Sequence, residues 1–311
     1  MSNLLKSIFG GKDESESEDL ISKSASELPT QPGQEHSKSG LSSKRRTPRS
    51  PFTFGISSSI GVQRDHNEDS LYAMSTIMVS NRIDLPMGLF IVADGMGGHL
   101  HGEIASEVAV EAMTSAVITK LLSLSVDRLL QDQEDSVQKL MSDGIHSAHQ
   151  AILEQAPGGG STLTGLLILD DQLTIAHIGD SRAYHITSDG TPKVLTTDHS
   201  LVQRLQDLGQ ITSDEAAVHP QRNVLYRALG QAEKIDEELI TYPIPSSGYL
   251  VICSDGLWGL VPDSEMVETI TTAGSLQHAG QKLIQAANTA GGPDNISVII
   301  IQIPEPSDPQ Q

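Results

Sequence analysis

Beyond Phe52 the apolar residues fall into short runs and helical spacings, whereas the stretch before it carries almost no apolar pattern after Phe9. Phe54 to Val62, Leu71 to Val79 and Leu89 to Ala93 are alternating or continuous apolar segments bounded by polar loops, which predicts strands. Ile104 to Leu124 repeats at helical spacing, as does much of Val126 to Leu153 with Asp127, Arg128, Gln131 and Asp132 on its polar side. Two consecutive helices are expected there. Strands return at Leu163 to Leu169, Leu173 to Ile178 and Ala183 to Ile186, and Ser188-Asp189-Gly190 has the chemistry of a hairpin turn. Residues 197 to 223 are polar with short helical stretches. Leu250 to Ser254, Met266 to Ala287 and Ile296 to Ile303 then predict strand, helix and strand.

Strands in two groups with helices between them, without regular alternation, predict an α+β fold of mainly antiparallel sheets in one domain over residues 52 to 304. Residues 1 to 50 are rich in Ser, Glu, Asp, Gln, Pro and Gly, and cannot bury enough surface to offset their ordering entropy. A disordered tail is expected there, and a short C-terminal tail at 305 to 311. The first segment also holds two apolar pairs, Leu4-Leu5 and Ile8-Phe9, and a basic cluster at Lys44-Arg45-Arg46 with Arg49.

Composition narrows the function classes. A formal net charge of -20 over 311 residues argues against nucleic acid as the main partner, because phosphate backbones select Lys and Arg. Aromatics are 3% of the chain, so the core is built mainly from Leu, Ile, Val and Ala. The single Cys253 excludes an intramolecular disulfide framework, and its place inside an apolar run reads as a small buried hydrophobe. No apolar stretch approaches the ~20 residues that cross a bilayer, and the first residues lack the apolar region of a secretory signal. A cytoplasmic monomer is expected.

The chemistry begins at strand ends. Asp94, Asp255 and Asp294 each adjoin an apolar run and each is followed at once by Gly or Asn. Buried carboxylates are costly without a cation, so several converging ones imply a metal, and an all-oxygen set implies a hard one such as Mn²⁺ or Mg²⁺. Four further pieces join them: Arg64-Asp65-His66-Asn67-Glu68-Asp69, Gly95-Met96-Gly97-Gly98-His99, Gly179-Asp180-Ser181-Arg182 and Asp198-His199. Each alone is ordinary turn material, as Asp189-Gly190 shows.

Taken in order, with Gly160-Ser161-Thr162, the stretch Asn223 to Gly230, Ser254-Asp255-Gly256-Leu257-Trp258 and Asp294-Asn295, these motifs make the chain resemble the metal-dependent protein serine/threonine phosphatases of type 2C (the PPM family), in particular its bacterial branch. The resemblance covers roughly residues 52 to 304. It implies two stacked antiparallel β-sheets flanked on both sides by helices. It also implies two Mn²⁺ or Mg²⁺ ions per site: Asp94 would bridge them, Glu68 and the carbonyl of Gly95 would complete one, and Asp255 with Asp294 would hold the other. A third ion, common in the bacterial branch, would fall to Asp180 with Asp255. Arg64 would grip substrate phosphate, Asp69 would orient a water, and His99 would protonate the leaving alkoxide in place of a His that some relatives carry where this chain has Met96. The implied reaction is hydrolysis of phosphoserine and phosphothreonine by metal-activated water, with phosphorylated proteins as partners, a protein kinase or its substrates among them. A non-catalytic phosphoprotein scaffold of the same fold and a two-metal enzyme acting on nucleotides are the competing readings. His101, His177, His185 and His219 are read as surface or core residues, and Trp258 as core behind Asp255.

Overall fold

The computed structural model describes residues 51–79, 84–97, 100–123 and 133–304; the expected tails at 1–50 and 305–311 lie outside the described residues. The elements run β1 (Thr53–Ser59), β2 (Asp69–Val79), β3 (Asp84–Met96), α1 (Leu100–Ser123), α2 (Gln133–Gln155), β4 (Gly160–Ser161), β5 (Leu163–Leu169), β6 (Gln172–Ile178) and β7 (Arg182–Ile186). They continue through β8 (Pro192–Val194), α3 (Leu201–Asp207), α4 (Ser213–Ala217), β9 (Glu238–Pro243), β10 (Gly248–Cys253), α5 (Asp255–Trp258), α6 (Asp263–Thr272), α7 (Leu276–Thr289) and β11 (Ile296–Ile303).

The strands form two sheets, ordered β1-β11-β10-β7-β8 and β2-β3-β5-β6-β9, with β4 paired to the end of β3. All pairings are antiparallel. The sheets stack face to face, and the period-two alternation of each strand sends its side chains into different cores. On β3, Phe90 and Val92 meet β11 Ile299 and Ile301, β10 Leu250 and Ile252, and β5 Leu166 between the sheets. The intervening Leu89, Ile91 and Ala93 face the other way and pack with Met113 and Val117 of α1 and Met141 and Ile145 of α2. On the far side, Ile296, Val298 and Ile300 of β11 pack with Met266 and Ile270 of α6 and with Ala279 and Leu283 of α7, which closes this layer. Strands buried on both faces need apolar residues at every position, which explains their unbroken runs.

Two sequence expectations change. β1 ends at Ser59 and does not reach Val62, because Gly61 takes φ +86 and its N–H bonds Ser59 Oγ at 3.1 Å. Met266 to Ala287 is not one helix: α6 stops at Thr272, and Ser275 starts α7 by accepting the His278 N–H at 3.2 Å. Strands β4 and β9 carry too little apolar pattern to be predicted, and β9 is partly exposed along most of its length. Of the helix expected over Val126 to Leu153, residues 126–132 lie outside the described residues and the remainder is α2. The Asp189-Gly190 hairpin joins β7 to β8 as expected, with Gly190 N–H donating to Thr187 O at 2.9 Å.

Three connections cross from one sheet to the other at the same end, β1 to β2, β6 to β7 and β8 to β9, while β9 to β10 crosses at the opposite end. The first carries Arg64 to Glu68 and the second carries Gly179 to Ser181. At a side edge, Gln277 of α7 lies against β1, accepting the Ile56 N–H at 3.2 Å and donating to the Ile56 carbonyl at 2.7 Å.

Candidate metal centre

Asp69 and Asp94 are direct cross-strand partners at the start of β2 and the end of β3. The Asp94 backbone is gripped by the next connection: its N–H donates to Thr162 Oγ1 at 3.0 Å, and its carbonyl accepts from Thr162 N at 2.8 Å and Ser161 Oγ at 3.1 Å. In the other sheet, Asp255 follows β10 as the first residue of α5, and Asp294 precedes the adjacent β11. The stacked sheets thus bring carboxylates from both to one rim.

Asn295 ties the crossing loop to this rim. Its Oδ1 accepts the Glu68 N–H at 2.8 Å, and its Nδ2 donates to the carbonyls of Ile60 at 2.8 Å and His66 at 2.9 Å. The Glu68 carbonyl in turn accepts the Gly95 N–H at 3.0 Å. Glycine is needed at 95 because a Cβ would come within 2.1 Å of the Gly102 carbonyl, and at 102 because a Cβ would come within 2.6 Å of Glu68 Oε2. The helix α1 therefore starts hard against the Glu68 carboxylate.

Ser254 Oγ donates to Asp69 Oδ2 at 2.9 Å while accepting the Ser297 N–H at 3.0 Å. Asp69 Oδ1 and Asp255 Oδ1 are buried and have no hydrogen-bond partner among the described residues. Arg64 is the nearby cation, its Nη2 lying 2.8 Å from each oxygen of Asp294. Burial alone would lower the Arg64 pKa, but Asp294, with Glu68 and Asp94 behind it, outweighs that and raises it.

The carboxylates perturb one another. Burial, then Asp69, Asp255, Asp180 and Asp294, hold Asp94 well above the usual carboxylate range. Burial followed by Asp255 and Asp198 does the same to Asp180. Asp69 is pushed up to about 7, chiefly by burial, against the opposing hydrogen bonds from Ser297 and Ser254. Asp255 is pushed up to about 6 by burial and Asp294, with a hydrogen bond to Asp94 acting the other way. Oxygen donors that repel one another, two of them with an orphaned buried atom, suit a hard divalent cation such as Mn²⁺ or Mg²⁺.

Of the residues singled out in the sequence, Arg64, Glu68, Asp69, Asp94, Gly95, Asp180, Asp255 and Asp294 come together here; His99 lies outside the described residues. Asn295, Ser254, Ser161 and Thr162 stand in the motifs read from the sequence, but their role in holding these residues is not legible there. Trp258 packs against the core beneath the helices as expected, and although partly exposed it also donates its indole N–H to the Asp180 carbonyl at 2.9 Å. Cys253 is fully buried, which pushes its thiol pKa up.

His177, His199 and Glu238 present ligand-type atoms within 4.8 Å of one another. Their atoms are already engaged. His177 Nε2 donates to the Thr197 carbonyl at 3.1 Å and Nδ1 meets Thr164 Oγ1 at 2.9 Å; His199 Nδ1 accepts the Gly179 N–H at 3.1 Å; Glu238 Oε2 accepts the Thr197 N–H at 3.2 Å. The Arg227 guanidinium sits 3.4 Å from His199 Nε2, a poor neighbour for a bound cation. Burial lowers His177 to about 4 and His199 to about 3, so both rings are neutral packing groups.

A hard-cation site with a guanidinium beside it suits an anionic ester, which puts the molecule among the metal-dependent phosphohydrolases. The chain belongs to the protein phosphatase 2C family, whose model matches residues 65–290. It is 34% identical over 242 residues to the serine/threonine phosphatase stp of Listeria innocua, spanning 78% of this chain and 92% of that relative. Among solved structures, the S. agalactiae serine/threonine phosphatase matches with a TM-score of 0.69 and 32% identity, over 81% of this chain and 100% of that one. The catalytic domain of PstP in complex with 2 manganese ions matches with a TM-score of 0.66 and 29% identity, over 81% and 98% of the two chains.

The carboxylate cluster sets a pH dependence. Asp69 and Asp255 bind protons more tightly folded, at about 7 and about 6, than at their ordinary value of 3.8, so the folded state holds more protons across that window. Their contribution to stability is present at low pH and is lost as pH rises through the folded values. In chelator, the melting temperature should therefore fall between about pH 5 and about pH 8, and Mn²⁺ should restore it at the upper end. A melting temperature that climbs over this range in chelator would contradict the clustered-carboxylate account.

Proposed function

We propose that this chain removes phosphate from phosphoserine and phosphothreonine in proteins, using Mn²⁺ or Mg²⁺, and that it opposes a Ser/Thr protein kinase as a cytoplasmic, monomeric signalling enzyme. The observation that carries this is the convergence of Glu68, Asp94, Asp255 and Asp294 beside Arg64 in a chain of the type 2C family. No helix among the described residues is long and apolar enough to cross a membrane. The scaffold reading would be favoured by a missing carboxylate, and all four are present.

Asp94 would bridge two ions, with Glu68 and the Gly95 carbonyl on one and Asp255 and Asp294 on the other. Asp180 with Asp255 would take a third. When bound, such ions acidify water at neutral pH and offset charge on the phosphoryl group. Asp69 keeps one oxygen on Ser254 and leaves Oδ1 free to accept from the attacking water, which fixes that water's orientation. Arg64 would exchange its hold on Asp294 for the substrate phosphate, whose paired oxygens match a guanidinium fork. No side-chain nucleophile is required. His99 would give the departing Ser or Thr alkoxide its proton.

Asp94→Asn keeps shape and loses charge, so the folded variant should lose activity on a phosphothreonine peptide by several orders of magnitude. Full activity would refute the two-ion site, and release of phosphate from nucleotides in preference to the peptide would favour the competing enzyme reading.

Arg64→Ala should chiefly raise KM, since a guanidinium grips phosphate in ground and transition states alike. It also frees Asp294 from its ion pair, so metal should bind no more weakly than in the parent. Weaker metal binding with unchanged KM would remove Arg64 from the substrate.

A general acid matters for a basic alkoxide and hardly for a nitrophenolate. His99→Ala should slow peptide hydrolysis by roughly 10²-fold or more while sparing nitrophenyl phosphate. Equal slowing of both substrates would assign His99 to support of the fold or the metals.

A further inference from the structure

Asp180 stands just before β7 and Asp255 just after β10, neighbouring strands of one sheet whose ladder ends at Arg182 and Cys253, and Asp255 heads the charges that act on Asp180. Two like charges facing each other drive their backbones apart unless something spans them. Asp255 opens α5 and Trp258 closes it, so one helical turn carries a carboxylate at its start and an indole at its end. The indole N–H donates to the Asp180 carbonyl at 2.9 Å. Its ring lies under Arg182, whose Cζ is 3.5 Å from the ring centroid, and Arg182 is held by Asp198 through two bonds of 2.9 and 2.8 Å. The other side of the same turn is fixed by Gly179, at φ +114, whose N–H donates to His199 next to Asp198.

We propose that Trp258 is a positioning residue for the third-ion site: a strut that ties the Asp255 helix to the Asp180 turn and sets the separation of the two carboxylates. The inference rests on the reading that Asp180 and Asp255 share an ion. Arg182 and Asp198 stiffen the strut from behind, since a guanidinium fixed by a bidentate carboxylate cannot leave the ring face without losing both bonds.

The test uses the full chain, stripped with chelator and titrated with Mg²⁺ alone by calorimetry. Trp258→Phe keeps a ring under Arg182 and removes the donor. It should weaken the weakest site about fivefold, the scale of one hydrogen bond, and leave the tighter sites unchanged. Asp180→Ala should lose the weakest site outright. Unchanged affinity at every site in Trp258→Phe overturns the strut, and so does equal weakening of all sites with a lower melting temperature, which would mark a purely structural residue. If Asp180→Ala titrates like the parent, the third-ion reading itself fails and the strut with it. A second measurement needs no change at the indole. Trp258 is the one tryptophan of the chain, so its emission should follow occupancy of the weakest site in the parent and show no such phase in Asp180→Ala. Emission that stays constant through saturation of that site would also overturn the proposal.

Discussion

The structure is organised around mutual repulsion. Burial and mutual repulsion, with the charge of Asp294 added, raise the proton affinity of Asp69, Asp94, Asp180 and Asp255 at a rim where water is partly excluded. Left to themselves these groups would separate, because charge in a poorly solvated place is costly and like charge more so. What prevents it is backbone. Each carboxylate sits on a main-chain segment whose own N–H or C=O is spoken for, by Thr162 at Asp94, Asn295 at Glu68 and Trp258 at Asp180. Repulsion among side chains is thereby converted into affinity for cations.

The sandwich makes this possible because its two sheets share one rim. Carboxylates from β2 and β3 and from the β10 and β11 ends could not meet within a single sheet. Three of the four crossings between sheets occur at that rim, so the chain stitches the layers together where the ligands are needed. Three cores, one between the sheets and one under each helical layer, hold the strands that point these ends.

Much of this is legible in the sequence. Strands buried on both faces announce themselves as unbroken apolar runs, and β3, β5, β10 and β11 stand out that way. The acidic ligand candidates are legible because Asp followed by Gly or Asn at the end of such a run is an odd place for charge. Short or half-exposed strands such as β8 and β9 give no such signal, and the break between α6 and α7 depends on one serine cap. The supporting roles are invisible for another reason. Asn295, Ser254 and Thr162 act through hydrogen bonds to groups far away along the chain, and no local pattern encodes a distant partner. Trp258 reads as packing, which it is, and its hydrogen bond to the Asp180 carbonyl leaves no mark in the local pattern.

The Gln277 amide on β1 has a consequence for how the molecule behaves in a crowd. An edge strand presents a row of unpaired peptide groups, and such a row is where chains stack into fibres or exchange segments. Gln277 occupies both groups of Ile56 with an imitation of a peptide, in the middle of that row. A foreign strand arriving there finds the template interrupted and must evict a side chain anchored on α7 before it can propagate. The β1 edge is thus guarded against self-templating by a residue that has no part in binding ions or phosphate.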